Sequence, residues 1–423
     1  MSAYMIGYVG MTHLGLNSAV AAADKGYETV CFDPDLELIA KLSLHELPIV
    51  EPDLPKLLKK NSDRIKFTAD LSQLSLCDVV YIAPDVQTND NGQSDLGRID
   101  TLISQVEPIL SENTVMVILS QVPPGFTRAR QCPGRRLHYQ VETLIFGRAM
   151  ERARFPERFI VGCAEPSEQL PLAFAHFLKS FGCPILPMRY ESAELAKISI
   201  NMCLVASIGV ANTMSELCEM TGADWSEIVP ALKLDRRIGP YSYLNPGLGI
   251  AGGNLERDLA TVCNFADRYG TDAGVVRAWV ANSHHRRDWA LSTLYREILS
   301  RMDHPVIAVL GLAYKQDTHS TKNSPSIALL EYLKPFRVRV FDPVVPASAA
   351  PNPLCHDSKS ELEACDGADV LVVMTPWQQF GKLDPTEIAQ HLRGKVVLDP
   401  YAIFNAATCR VAGLNYLTLG VQS

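Results

Sequence analysis

The chain opens on an apolar run that reaches glycines and then a run of small and apolar residues. Residues 3–33 read strand, glycine turn, helix, strand: the helix covers Leu14–Gly26, and the second strand, ETVCF, ends at Asp33. CDVVYIA (77–83) and TVMVILS (114–120) are further β-rich runs separated by helical stretches, and ERFIVGC (157–163) and PILPM (184–188) continue the series. Strands that alternate with helices predict a parallel sheet covered on both faces. From Glu191 to about Glu219 the pattern becomes one long apolar helix with Lys197, Asn201 and Glu216 as polar interruptions, and more helix follows through residues 255–300. At Pro305 the alternation restarts. VIAVLGLAY (306–314) is a strand, SPSIALLEYL (324–333) a helix, RVRVFDP (337–343) a strand, and ADVLVVMTP (368–376) and KVVLDP (395–400) follow. The second set repeats the first: strand, Gly-containing turn, helix, strand ending in Asp. The expected fold is α/β, with two doubly wound lobes joined by a long central helix and a helical middle domain, divided at 1–190, 191–300 and 301–423. A long helix between two α/β regions reads as a connector and as a subunit interface, so a homodimer or larger homo-oligomer is expected.

Composition narrows the function. A chain of 423 residues, 47% hydrophobic and 20% charged, has room for two or three globular domains. A net charge of −8 without a Lys/Arg block argues against a nucleic-acid partner. The Arg-rich stretch from Arg128 to Arg158 is interleaved with apolar residues and reads as a solvated or phosphate-facing surface. Eleven cysteines are scattered with no CxxC pair and no His/Cys spacing suited to zinc. That excludes an evident metal site and fits reduced thiols in a cytoplasmic protein better than a disulfide frame. The N-terminal run lacks the basic region of a signal peptide. The longest apolar run, Ile198–Met214, holds Asn201, Ser207 and Asn212, so a buried helix is expected rather than a membrane span.

The first turn carries a cofactor signal. Tyr4–Gly10 reads YMIGYVG. A dinucleotide turn has three glycines in GxGxxG, one for the tight turn, one for close approach of the pyrophosphate and one for helix packing. In YMIGYVG, Gly7 and Gly10 take the second and third positions and Met5 the first, which makes Gly7, Tyr8, Val9 and Gly10 candidate cofactor residues. Asp33 follows where an acid holds the ribose 2′-hydroxyl, favouring NAD over NADP in a Rossmann-like lobe. The alternative is an ordinary βαβ turn with a helix-packing glycine.

A set of further motifs lies in order along the chain: LPIVEPDL (47–54), SAELAKISINMCLVASIGVANTMSE (192–216), DRRIG (235–239), NPGLGIAGGNLERD (245–258), GLAYKQDT (311–318), NSPS (323–326) and FDP (341–343). With GYVG (7–10) they resemble the UDP-glucose/GDP-mannose dehydrogenase family along nearly the whole length. The resemblance implies an NAD-dependent oxidoreductase that acts on a nucleotide sugar, most simply a UDP-hexose, with no membrane partner. The family oxidises a C6 alcohol twice. The first oxidation needs a proton acceptor and NAD; the second needs a cysteine that captures the aldehyde as a thiohemiacetal.

The residues for the first oxidation are present. Lys197 and Asn201 fall one turn apart on the long helix and share a face. In the family this pair polarises the substrate oxygen, and an Asp matching Asp258 joins the lysine in holding water. An unpaired ammonium on an apolar helix would be costly, so Asp258 is the expected partner of Lys197. A structural salt bridge without chemistry is the other reading. The residues for the second oxidation are altered. The family loop GFGGSCxPKD has its cysteine where this chain has Asn254, and its lysine where this chain has Arg257. An amide nitrogen with a delocalised lone pair is no nucleophile, and Cys263 further along is a poor substitute. SQVPPGFT (120–127) places Gln121, a candidate cofactor contact, where the family has a Thr that helps handle the hydrolytic water. QVETLIFG (140–147) keeps one acid as Glu142 and replaces the second with Phe146. The resemblance further assigns substrate contacts to Arg237, acting across a subunit interface, to Tyr243, to Lys315 and to backbone space at Gly249 and Gly252. DPYAIF (399–404) departs from the family's DGRxxF at Tyr401. Two-electron oxidation, an NAD-retaining epimerase, a full 6-dehydrogenase and a non-catalytic relative all stay open. Met5 in the turn and the unusual IAPDVQTND (82–90) favour the last.

Overall fold

The computed structural model describes residues 4–87, 94–132 and 134–422. It divides into two compact units, one ending at Ile200 and one beginning at Asn201.

The first unit is built on an eight-stranded sheet: β1 (Met5–Val9), β2 (Glu28–Phe32), β3 (Ile65–Thr68), β4 (Val79–Ile82), β5 (Val115–Ile118), β6 (Arg136–Gln140), β7 (Phe159–Cys163) and β8 (Ile185–Arg189). The order is β3-β2-β1-β4-β5-β6-β7-β8, with every neighbour parallel except β6 and β7. Helices cover both faces, so β1, β4, β5 and β7 are apolar on both sides. Ile6, Val79 and Val117 join one core cluster; Val9, Val80 and Ile118 join another. β3 (IKFT) and β6 (RLHYQ) escape the sequence reading because polar residues interrupt them. The chain order reverses between β1 and β4, and at such a switch point the C-terminal strand ends frame a ligand crevice.

The register of the first turn differs from the sequence expectation. Gly7 lies inside β1, paired with Val30 and Val80. A Cβ there would meet Leu74, Cys77 and Val80 at 3.0–3.1 Å, so this glycine is required by strand packing. Tyr8 is buried and stacks on Tyr81, with centroids 4.9 Å apart. Gly7, Tyr8 and Val9 are therefore strand residues, and Met5 opens the strand. The turn starts at Gly10, with φ +93°, and the first helix, His13–Asp24, follows at once. A Cβ on Gly15 would fall 2.0 Å from the Gly10 carbonyl oxygen. The glycine pattern is thus Gly10, Thr12, Gly15, and only its second position departs from glycine.

The second unit carries a six-stranded sheet: β9 (Val306–Leu310), β10 (Arg337–Phe341), β11 (Cys355–Asp357), β12 (Val370–Val373), β13 (Val396–Leu398) and β14 (Asn415–Leu417). All pairs are parallel, in the order β11-β10-β9-β12-β13-β14, the same winding as the first six strands. The helical part adds Asn254–Tyr269 and Gly274–Arg287, packed around Val205, Ile250, Leu259 and Val276, and Trp225–Leu234, packed around Ala211, Cys218 and Leu244.

The long helix runs Tyr190–Thr221. By length and composition it could cross a membrane, but only 28% of its most apolar window is buried. The run Ile198–Met214, expected to be buried, is so only on one side: Ile198, Val205 and Ala211 are buried, whereas Val210 and Met214 are exposed. Among the described residues no group of His, Cys, Asp or Glu is placed to hold a metal ion.

Candidate active site

In the first unit the turn after β1 has the form a dinucleotide needs at two of its three glycine positions. The N-cap residue of the first helix, Thr12, makes no side-chain capping bond, and the helix N-terminus is of the kind that suits a diphosphate. Asp33 follows β2 and is fully buried. Its carboxylate accepts from Met11 N–H at 2.8 Å, Asp35 N–H at 3.1 Å and Arg98 Nη2 at 3.0 Å. A carboxylate offers about four acceptor positions, and three are used here. At the second glycine position Thr12 Oγ1 accepts from Asp85 N–H at 2.8 Å, and Asp85 Oδ2 accepts from Leu14 N–H at 3.4 Å. The segment IAPDVQ is therefore placed, whereas Thr88, Asn89 and Asp90 lie outside the described residues.

At the ends of β5 and β6 the unit assembles a second polar group. Lys197 pairs with Glu142 at 2.8 Å, both largely buried. Glu142 also accepts from Leu144 N–H at 3.0 Å, which fixes its rotamer. Gln121 is buried just beyond β5. The turn after it is held by Glu194, a buried residue of the long helix. Its carboxylate accepts from Gly125 N–H at 2.6 Å and Thr127 N–H at 2.8 Å. Burial pushes the Glu194 carboxyl above its ordinary value, against those hydrogen bonds. Phe146, in place of the second acid, stacks on His13, centroids 4.0 Å apart. His13 in turn meets Glu51 at 3.0 Å. Glu51 is buried, which alone would raise its pKa, but bonds from His13, Ala149 N–H and Gly147 N–H bring it below the ordinary value.

In the second unit Asp258 is fully buried and held on both oxygens. Asn201 Nδ2 donates to Oδ2 at 2.6 Å, and Arg257 Nε donates to Oδ1 at 3.2 Å. Within the first unit Lys197 has Glu142 as an ion pair, and within the second Asp258 engages Asn201 and Arg257. Asn254 is the first residue of its helix and solvent-exposed. It shares a face with Asp258, one turn on. Cys263 lies farther along the helix and packs against the cluster of Val205, Ile250 and Leu259.

The loop glycines are used differently from the expectation of open space for a sugar. A Cβ on Gly249 would fall 2.3 Å from the Ser283 carbonyl oxygen, and one on Gly252 would fall 2.8 Å from the Tyr314 ring. Both glycines admit the protein's own chain. Gly252 is further fixed by its N–H to Lys322 O at 3.2 Å and by Asn323 Nδ2 to its carbonyl at 3.1 Å. The loop is thus clamped to residues 314–323, which carry Lys315; its ammonium lies 5.8 Å from the Tyr314 ring centroid. Arg237 is exposed and held by Asp235 at 2.7 Å, and Tyr243 is half exposed. Tyr401 points inward, donating to Met374 O at 3.2 Å.

Three acids escaped the sequence reading. Asp85 gave only an unusual residue in a turn, and Glu51 sat unremarked inside a quoted motif. Glu256, where the family loop has proline, bonds Asn323. Burial raises its pKa to about 7, against the pull of Lys322 and Arg287.

Comparison with known proteins adds three domain models matching in order. They are the UDP-glucose/GDP-mannose dehydrogenase family's NAD binding domain over residues 4–175, its central domain over 191–284 and its UDP binding domain over 308–406. A UDP-glucose 6-dehydrogenase of Pseudomonas aeruginosa is 30% identical across 98% of this chain and 96% of its own. One of Rickettsia typhi is 28% identical across 98% and 99%. The solved structure of a UDP-glucose dehydrogenase from Pyrobaculum islandicum shares the fold, with a TM-score of 0.86 at 24% identity, over 100% of this chain and 98% of that one.

Proposed function

The chain belongs to the UDP-glucose/GDP-mannose dehydrogenase family, and from that membership we propose an enzyme that carries out one two-electron oxidation of its sugar and stops. It is an NAD-dependent oxidoreductase acting on a CH–OH group of a nucleotide sugar. NAD, when bound, supplies the hydride acceptor. Gly10, the N-terminus of the first helix, Asp33 and Gln121 are the residues that would hold it.

The chain's own groups handle the proton and the charge. Glu142 keeps the Lys197 ammonium oriented, so the ammonium can stabilise negative charge that develops on a substrate oxygen. Asn201 and Arg257 fix both oxygens of Asp258, which suits it to order a water or accept a proton. The observation that carries the two-electron limit is Asn254. Its exposed carboxamide can hydrogen-bond a hydroxyl or an aldehyde hydrate but cannot attack a carbonyl. Gln121 and Phe146 support the same reading, because Phe146 is packed against His13 and leaves no acid there.

The curated relatives are named UDP-glucose 6-dehydrogenases, so a UDP-hexose is the first substrate to offer. Arg237, Tyr243 and Lys315 are the proposed substrate contacts. Exposed apolar residues along the long helix support a homodimer, and unpaired cysteines support a cytoplasmic location. The division at 1–190, 191–300 and 301–423 belongs to the same proposal. For the non-catalytic reading the departure from glycine lies at Thr12, since Met5 opens a strand.

The test is stoichiometry. UDP-, GDP-, dTDP- and CDP-sugars are offered with NAD⁺, NADH is counted, and products are weighed by mass spectrometry. One NADH per carbonyl product is expected. Two NADH per sugar acid would sink the two-electron limit. A changed sugar epimer with no net NADH would favour the NAD-retaining epimerase.

A further inference from the structure

The diphosphate end of the cofactor turn carries two side chains that a dinucleotide must contend with. Thr12 stands at the position where glycine lets the backbone approach a pyrophosphate. Its hydroxyl is engaged by Asp85 N–H at 2.8 Å and lies 3.5 Å from Ala83 O. Asp85 Oδ2 sits 3.4 Å from Leu14 N–H, in the first turn of the first helix. A carboxylate there does what a bound phosphate would do: it faces the positive end of the helix dipole. The two groups reinforce each other, because Thr12 anchors the backbone that presents the Asp85 carboxylate.

We propose that Thr12 and Asp85 form a latch over the diphosphate subsite, so that this chain binds its dinucleotide weakly and exchanges it at each turnover. The inference rests on the cofactor reading above and sharpens it. A dinucleotide diphosphate brings negative charge to the place where Asp85 already offers one. Binding must then either displace the carboxylate from Leu14 N–H or accept like-charge repulsion. Arg98 is engaged with Asp33 and does not neutralise Asp85 in the structure. A protein that releases its cofactor suits net oxidation, in which every turnover consumes one NAD⁺. It does not suit an epimerase that keeps one dinucleotide through oxidation and re-reduction.

The experiment is an equilibrium titration of the full-length protein with NADH, followed by nicotinamide fluorescence and checked by calorimetry with NAD⁺. Asp85→Asn keeps the size of the side chain and removes the charge; Asp85→Ser is the second variant, in case the first disturbs the loop. Both should bind NADH roughly three- to thirtyfold more tightly than the parent. The parent's affinity should rise between about 20 and about 300 mM salt, as repulsion is screened, and that rise should be lost in the variants. The apo variants should unfold at slightly lower urea, since they lose an acid at a helix N-terminus, and this opposite sign separates a latch from general stabilisation. Equal or weaker NADH binding by both variants would overturn the latch, as would purification of the parent with stoichiometric dinucleotide. If neither parent nor variants bind NADH at millimolar concentration, the cofactor reading itself fails and the latch falls with it.

Discussion

Glu194→Ala tests whether the turn beside Gln121 depends on one buried acid. Glu194 is fully buried, and its two oxygens take the N–H groups of Gly125 and Thr127 at 2.6 and 2.8 Å. Thr127 is itself fully buried, so water cannot replace the lost acceptor without opening the turn. Each orphaned buried N–H costs about 1–3 kcal/mol, and the void left by the side chain adds to it, so Glu194→Ala should cost about 3–5 kcal/mol. Glu194→Gln keeps one carbonyl oxygen but turns an NH₂ toward the second donor, for a loss of about 1–3 kcal/mol. The assay is urea unfolding of the full chain, scored on its first transition because two compact units need not unfold together. NADH titration should show weakened binding in the same order, because the turn follows directly on Gln121. A Glu194→Ala protein within about 1 kcal/mol of the parent, at unchanged slope, would refute the assignment.

Lys197→Met should lower kcat/KM by about 10²–10⁴ while leaving NADH affinity within about threefold; an effect confined to cofactor binding would remove Lys197 from the chemistry. Asn254→Cys places a thiol on the first residue of a helix, where its thiolate is favoured, so iodoacetamide should label it readily. With Gln121 and Phe146 unchanged it should still give little sugar acid, and quantitative release of two NADH would show that the cysteine alone was missing. Glu256→Gln should change the pH dependence of stability. The folded pKa, about 7, lies above the ordinary 4.5, so the ionised form is disfavoured by folding and the parent loses stability as pH rises through that window. The variant should gain up to about 2 kcal/mol on the parent between about pH 5 and about pH 8, a figure discounted for partial exposure, and a gap constant with pH would refute it.

Much of the architecture was legible because strands covered on both faces must be apolar at nearly every position. ETVCF is β2, and the other apolar runs each contain their strand, save that β8 extends one residue past PILPM to Arg189. The strands that were missed, such as RLHYQ and CHD, are short and polar, and their place is set by the neighbours they pair with. The first turn was misplaced for a different reason. GYVG matches a motif letter by letter, but Gly7 is in the strand because Leu74, Cys77 and Val80 leave no room for a Cβ. That constraint comes from residues far along the chain. The same holds for Lys197: helix periodicity fixes the face it shares with Asn201, yet its Glu142 partner is brought in from the end of β6. Asn254, by contrast, needed no structure, since an amide is no nucleophile in any fold.

The acid that follows the second strand of each lobe shows where the sequence signal for a dinucleotide is ambiguous. Asp33 takes Met11 N–H at 2.8 Å; Asp342 takes Leu312 N–H at 2.7 Å and Ala313 N–H at 3.0 Å. Each grips a turn that begins with a left-handed glycine, Gly10 at φ +93° and Gly311 at φ +96°. One lobe matches an NAD binding domain and the other a UDP binding domain, so the acid's grip is common to both. It answers a need of the turn, whose N–H groups would otherwise be left without an acceptor. The lobes part company after the glycine. In the first, the helix starts at His13, directly after the turn, and its N-cap residue Thr12 makes no capping bond, while Asp85 stands at Leu14 N–H. In the second, residues 314–323 intervene, carrying Tyr314, Lys315 and Lys322, and Ser324 then caps its helix by accepting from Ser326 N–H at 3.2 Å. A helix end that follows the glycine turn at once invites a diphosphate. A loop of aromatic and basic side chains ahead of a capped helix can bind a nucleotide only through those side chains. The division of labour between the lobes is therefore written in the distance from glycine to helix, and a search for the acid alone would find two cofactor sites where the family has one.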